Sequence, residues 1–492
     1  MKIIPSRQTF LKLSANSKRT PVLGEAQVKN VSPALLYQHL YSGASASFLF
    51  ESGKGPDTIA RYSFMGEANA KCIQIKNGEA KFQRDGTSET FNDESWENLE
   101  CFRFEKDTLS VDYISHFWGG WVGYVGYEVA GWLEKLQLRS KDDLGIPDIY
   151  FFQVDRLLVY DHQKSLLKYI VASVPGPDLE KSYDETVHEI EVQWEKIERA
   201  LARSEDPVDP PPTANASGPS KIKSNVSQEQ YISMVKRAQI YIEEGDIYQA
   251  NLSQRFEMDC FRDSFELYKY LRRVNPSPFS GFMKWDDLGI ISSSPERLVK
   301  LERGCLETRP IAGTRPRGNT AQEDQKLSAE LLLNEKEKAE HLMLIDLERN
   351  DMGRICEYGT VHVTDFMFLE QYSHVSHIVS NIQGTLRPGI QPVDILKALF
   401  PGGTITGCPK IRCMEIIDEL EPSSRGPYSG SMGYIGFSDF MDLNIIIRTL
   451  LVKNGKAYFH VGAGIVADSD PEKEYQETMD KAAALICVLE AQ

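Results

Sequence analysis

The sequence predicts an α+β protein built on large sheets. Three observations predict it: short alternating runs bounded by turn residues before residue 179, long helical patterns near 179–203, 321–346 and 471–490, and strand-like runs between the later helices.

In the N-terminal part, SFLFES, YIVASV and DIYFFQVDRLLVYDH alternate with turn residues and read as antiparallel strands, since a period of two turns one side of each strand toward a core. An acidic helix from about Leu179 to Arg203 follows. It runs into RSEDPVDPPPTANASGPSKIKSN, residues 203–225, where proline, serine and charge replace hydrophobic periodicity. The chain therefore divides into an N-terminal region 1–205, a linker 206–225 and a C-terminal region 226–492. Beyond the linker, Ser227 and Gln230 form a capping box, and Tyr231, Val235, Ala238 and Ile242 line one helical face until Gly245. The strand IYQANLSQRF comes next, and GIISSS and YFHVGAGIV add further strands among the helices. On the last helix Tyr475, Met479, Ala482, Ala483, Ile486 and Leu489 form the expected apolar stripe.

Charge narrows the function. An excess of 71 Asp and Glu over 55 Lys and Arg, net −16, repels nucleic acid and anionic membrane, so neither is an expected partner. An anionic substrate would need a local basic pocket. The eight cysteines fall at irregular spacings with no zinc or redox motif, which fits a reduced cytoplasmic setting. The N-terminus lacks the apolar core of a signal peptide, and no stretch approaches the ~20 apolar residues of a membrane span.

Two acidic pairs stand out. KEKAEHLMLIDLERND puts Glu337 and Glu340 three apart on a helix, hence on one face; EKEYQETMDK does the same with Glu474 and Glu477, with Lys481 one turn further along. Two such pairs facing each other would suit magnesium, a hard cation that keeps several waters and takes one or two carboxylates directly. On spacing alone they read as solvated helical acids. Two glycine-rich stretches, FPGGTITGCPK at 400–410 and HVGAGIVADSD at 460–470, expose backbone N–H groups that could hold carboxylate oxygens, or simply make tight turns. Arg448, inside the apolar run NIIIRT, needs an anionic partner, either an internal acid or a substrate carboxylate. His377 in YSHVSHIVS reads as a core histidine or an active-site group.

Together, RPIAGTRPRG, KAEHLMLIDLERND, EQYSHVSHIVS, FPGGTITGCPK and GAGIVADSDPEKEYQET resemble the chorismate-utilising enzymes, a family that includes anthranilate synthase component I, aminodeoxychorismate synthase component I, isochorismate synthase and salicylate synthase. The resemblance covers nearly the whole chain and is densest from about 227 to 485. It implies a large two-sheet α/β sandwich of the anthranilate synthase component I type, both regions contributing to one body. It also implies Mg2+ as cofactor, with Glu340 and Glu477 as ligands and Glu337 and Glu474 holding metal-bound water. Gly313, Thr314, Tyr428, Arg448, Gly462, Ala463, Gly464 and Lys481 match positions that contact chorismate. His377 and Thr404 match positions near the departing hydroxyl, and Glu296 in SSSPER matches the general acid.

Two positions bear on the nucleophile. Members that use water resemble one another in a lysine where this chain has Gln249, so ammonia is expected here. Many aminodeoxychorismate synthases resemble PIKGT, whose lysine attacks the ring; Ala312 in PIAGT cannot, which favours anthranilate as product. YQANLSQRF, IDLERND, TGCPKIRCMEII and MDLNIIIRT nevertheless look more like the aminodeoxychorismate group, so 4-amino-4-deoxychorismate is the expected product and anthranilate the alternative. A tryptophan pocket of the anthranilate type would involve Glu51, Ser52, Pro278 and Phe279, but NPSPFS departs from the usual NPSPYM. Nothing resembles a glutamine amidotransferase, so a separate glutaminase subunit is the expected ammonia source. A noncatalytic regulatory relative is the remaining alternative.

Overall fold

A computed structural model describes residues 1–52, 60–84, 87–92, 99, 102–105, 108, 111–134, 136–203, 222–318, 320–371 and 375–490. Most of the expected linker, 206–221, and residues 372–374 of the YSHVSH motif lie outside these.

Two sheets of 13 and 12 strands form the body, and every named strand pair is antiparallel. Each sheet mixes strands from before and after the linker. In the first, Ala46–Glu51 pairs with Phe279–Trp285, Phe50 opposite Gly281. In the second, Gly120–Val125 lies between Ile149–Val154 and Ser431–Gly436. The sheets pack face to face. Trp285 of the first stacks on Tyr150 of the second, ring centroids 4.2 Å apart, and Phe48, Met283 and Ile290 meet Val122, Tyr124 and Phe152 in one core.

The strands follow the alternation read from sequence. DIYFFQVDRLLVYDH forms Ile149–Val154 and Arg156–Asp161, and IYQANLSQRF forms Gln249–Asp259. The capping box is present: Ser227 Oγ accepts from Gln230 N–H, and the Gln230 side chain accepts from Ser227 N–H at the start of Gln228–Glu243.

Two helical expectations need correction. The pattern at 321–346 is two helices, Ala321–Leu333 and Glu335–Gly353, because Asn334 leaves helical geometry and its side chain caps the second by accepting from Glu337 N–H. On Pro471–Glu490 the buried side is Thr478, Ala482, Leu485, Val488 and Leu489, while Ala483 faces solvent. The rest of the expected stripe holds, with Ala482 and Leu489 buried and Tyr475, Met479 and Ile486 packed partly buried against the core, while Thr478 Oγ1 accepts from Gln254 Nε2. Among the described residues no helix is long and apolar enough to cross a membrane.

Candidate active site

The site forms where the chain crosses between sheets. One crossover joins Leu288–Ser294 of the first sheet to Arg297–Glu302 of the second and carries Glu296; the other joins Phe440–Ile445 back to Thr449–Lys453 and carries Arg448. They are tied side by side. Ile445 N–H donates to the Glu296 carbonyl at 3.0 Å, Ser294 Oγ donates to the Ile445 carbonyl, and Ser293 N–H donates to the Arg448 carbonyl at 3.1 Å. Arg448 has φ of 51°, a left-handed conformation costly for a side chain of this size, which the bonds around it hold in place.

Glu296 is buried. Burial pushes its carboxyl up to about 7, although the Thr404 hydroxyl, the Ile311 backbone and the cations Arg448 and Lys481 favour the charged form. Thr404 is the largest of these counterweights, although its Oγ1 and Glu296 Oε1 are both buried without a hydrogen bond of ordinary geometry. A carboxyl poised there can donate a proton near neutral pH.

On the second sheet a bulge brings His377 in. Pairing of Ile311–Pro316 with Val375–Thr385 shifts between Ala312 and Thr314, and Gly313 fills the step with φ of 65°, which glycine adopts without strain. Thr314 consequently lies opposite His377. His377 Nδ1 is 3.0 Å from Thr314 Oγ1 and 3.2 Å from the Gly313 carbonyl. A carbonyl only accepts, so Nδ1 carries the proton and Nε2 presents its lone pair. Burial, with the charge of Arg448 and Lys481, depresses the imidazole to about 3, so it stays neutral.

The acidic pairs converge from two helices. Glu340 on Glu335–Gly353 accepts from Gln249 Nε2 at 2.8 Å. Burial raises its pKa, and repulsion from Glu337 and Glu477 adds to that despite the Gln249 bond and Lys336. Glu474 is raised by burial and by Glu477. Glu477 pairs with Lys481 at 2.8 Å, and Lys481 Nζ also donates to the Gly462 carbonyl. Glu337 pairs with Arg315 and sits beside Gly313, where an added Cβ would meet its Oε2 at 2.8 Å. Carboxylates from the two helices are thus near enough to repel one another, Glu340 against Glu477. Among the described residues no three His, Cys, Asp or Glu side chains come close enough to ligate one ion, so direct ligation would fall to two carboxylates, with water completing the shell. Mutually repelling hard oxygen donors fit magnesium.

The floor is the pairing of Gln249–Asp259 with Lys456–Ile465, which sets Asn251 opposite Gly464 and Leu252 opposite Ala463. Gly462 is close-packed: a Cβ there would lie 2.5 Å from Asn251 Oδ1, 2.8 Å from Tyr428 Oη and 2.9 Å from the Leu252 carbonyl. Gly462→Ala should therefore displace both side chains and lower kcat/KM for the substrate roughly ten- to a hundredfold, as steady-state kinetics will read. Tyr428 stacks on His460, centroids 4.9 Å apart, and burial lifts its phenol to about 12, so it remains a neutral donor.

Sequence reasoning missed Arg425. Fully enclosed, it grips Glu421 with two bonds of 2.9 and 2.6 Å and donates to the carbonyls of Ile405 and Asn251 and to Ser429 Oγ. It thereby ties the floor strand to the Thr404 turn and the loop bearing Tyr428. In SSRGPYSG nothing local distinguishes it from a surface turn arginine. Glu348 was missed as well: burial raises it to about 8, Thr308 Oγ1 donates to it, and it repels Glu296.

The residues of the possible tryptophan pocket make contacts within the protein. Glu51 accepts from Tyr268 Oη at 2.6 Å and from Arg272 Nη2 at 2.9 Å, Ser52 Oγ donates to the Tyr62 carbonyl, Pro278 is buried, and Phe279 lies under the Arg297 guanidinium.

A crossover-borne acid, a neutral buried histidine, an arginine and carboxylates from two helices thus gather in one region. Residues 45–486 match the chorismate binding enzyme family, and the chain belongs to it. It is 39% identical over 479 residues to anthranilate synthase component 1 of Acetivibrio thermocellus (96% of this chain, 95% of the relative). It is 41% identical over 458 residues to aminodeoxychorismate synthase component 1 of Bacillus subtilis (92% and 94%). The crystal structure of anthranilate synthase component I from Streptococcus pneumoniae superimposes with a TM-score of 0.73 at 34% identity, covering 94% of this chain and 98% of that one. The protein is a chorismate-utilising enzyme of the anthranilate synthase and aminodeoxychorismate synthase type.

Proposed function

We propose that the protein aminates chorismate with ammonia, yielding 4-amino-4-deoxychorismate and water. Gln249 carries the reading of the nucleophile: its amide donates to Glu340 and has no basic nitrogen, whereas attack by water calls for a base at that place. Ammonia brings its own lone pair.

The residues divide the work. Arg448 and Lys481 offset the substrate's carboxylates. Glu296 gives its proton to the departing hydroxyl, which leaves as water, and neutral His377 orients that group through Nε2. Glu340 and Glu477 would hold magnesium, with Glu337 and Glu474 meeting its waters; the ion supplies charge neutralisation at the ring carboxylate and Lewis acidity.

A second reading, formation of anthranilate with pyruvate and water, is favoured by Ala312, a buried methyl opposite Ile378 that offers no nucleophile for ring attack. Both relatives above are named component 1, which supports a second component here, a glutamine amidotransferase subunit supplying ammonia in the cytoplasm. Incubation of the purified chain with chorismate, Mg2+ and ammonium salt, with and without an added aminodeoxychorismate lyase, decides the product. 4-Aminobenzoate appearing only with lyase is the expected result; fluorescent anthranilate without lyase establishes the second reading instead.

A further inference from the structure

Gln249 and Asn251 lie two apart on one strand, so their side chains leave the same face, over the strand that carries Gly462 and Gly464. Hydrogen bonds fix the orientation of both amides. Gln249 Nε2 donates to the Glu340 carboxylate, and Asn251 Nδ2 donates, at 3.4 Å, to the Thr404 carbonyl; each acceptor requires nitrogen, not oxygen, on its side. The carbonyl oxygens therefore point elsewhere. Gln249 Oε1 and Asn251 Oδ1 are both buried, and neither has a hydrogen-bond partner. A buried polar atom left in that state costs about 1–3 kcal/mol, so two on one face of one strand call for a donor. The glycines of the paired strand let both amides pack close: a Cβ at Gly464 would meet Gln249 Nε2 at 2.6 Å, and one at Gly462 would meet Asn251 Oδ1 at 2.5 Å.

We propose that the carbonyl oxygens of Gln249 and Asn251 form the seat of the nucleophile, accepting two N–H bonds of ammonia and leaving its lone pair free to attack. The seat rests on the ammonia-dependent reading above and adds Asn251 as its specificity-determining residue. Its chemistry is selective. Two neutral acceptors hold an N–H donor but withdraw no proton, so they cannot activate water. Arg425, bonded to the Asn251 backbone carbonyl at 2.7 Å, sets the strand position from behind.

The test is initial-rate kinetics on wild type, Asn251→Leu and Asn251→Ser with ammonium chloride and chorismate varied independently in Mg2+, alongside thermal melts. Leucine keeps the volume and removes the acceptor; serine restores an oxygen. Expected are a five- to tenfold rise in KM for ammonia in Asn251→Leu, partial recovery in Asn251→Ser, and a KM for chorismate within twofold of wild type. A rise in KM for chorismate with that for ammonia unchanged would overturn the seat and assign the Asn251 carbonyl to a substrate hydroxyl. Unchanged constants for both reactants in a folded Asn251→Leu protein would overturn it too. Wild-type protein that consumes chorismate equally well without ammonia would overturn the amination itself, an outcome visible before any variant is made.

Discussion

Glu477→Ala is expected to abolish turnover, by about a thousandfold or more, while the protein melts where wild type does. The fold does not depend on this side chain: it is half exposed, and it pairs with Lys481, which is also exposed. Its charge contributes to the rise in the pKa values of Glu340 and Glu474, so its removal relieves repulsion. On the proposed magnesium role, what is lost is one of the two carboxylates that would hold the ion. Initial rates across a magnesium titration, with a chelator control, supply the measurement. Wild-type rates that survive chelation would refute the metal role of all four acids, and a Glu477→Ala enzyme with near-normal rates would remove Glu477 from it.

Glu296→Gln is expected to lower kcat by about 10²–10⁴-fold, the usual contribution of a positioned acid. Its pH signature separates it from a packing defect. The carboxyl of Glu296 is raised to about 7, so the proton it donates is present below that value and falls away tenfold per unit above it. Wild-type kcat should decline on that limb, and the Gln variant should lose the decline. Stability moves in the same window. A buried acid with a raised folded-state pKa keeps its contribution at low pH and loses it as pH climbs from the ordinary carboxylate range through about 7. The variant should therefore lose less melting temperature than wild type between pH 5 and pH 8. Parallel pH profiles for the two proteins would exclude Glu296 as the acid.

Much of the fold was legible because it is written locally. Alternation located the strands, and a capping box located the start of Gln228–Glu243. Asn334 was harder: it interrupts an apolar pattern that continues past it, and only the cap it forms shows where one helix stops. For the acidic pairs, helical spacing put each on one face, but their meeting depends on sheet pairing across more than a hundred residues. Register also decides what the resemblance could not supply. Asn251 is unremarkable in YQANLSQRF until the strand opposite proves to carry glycine at 462 and 464. Arg425 looks like a turn residue until five bonds enclose it. The acidic residue of the expected tryptophan pocket, Glu51, proves bound by Tyr268 and Arg272 on a helix that no local pattern connects to it.

In each sheet the strands from before the linker form one block and those from after it another, joined at a single seam, and this shapes how the protein is made. While the ribosome is still translating residues below 279, Ala46–Glu51 lacks its neighbour Phe279–Trp285, and Gly120–Val125 waits longer still for Ser431–Gly436. The nascent N-terminal region emerges with open strand edges and an apolar face that nothing yet covers, the state in which chains adhere to one another. Joining the two blocks thus waits for the C-terminal strands, and yield in a cell should respond to holdase chaperones and to growth temperature more steeply than the melting point of the finished enzyme would suggest.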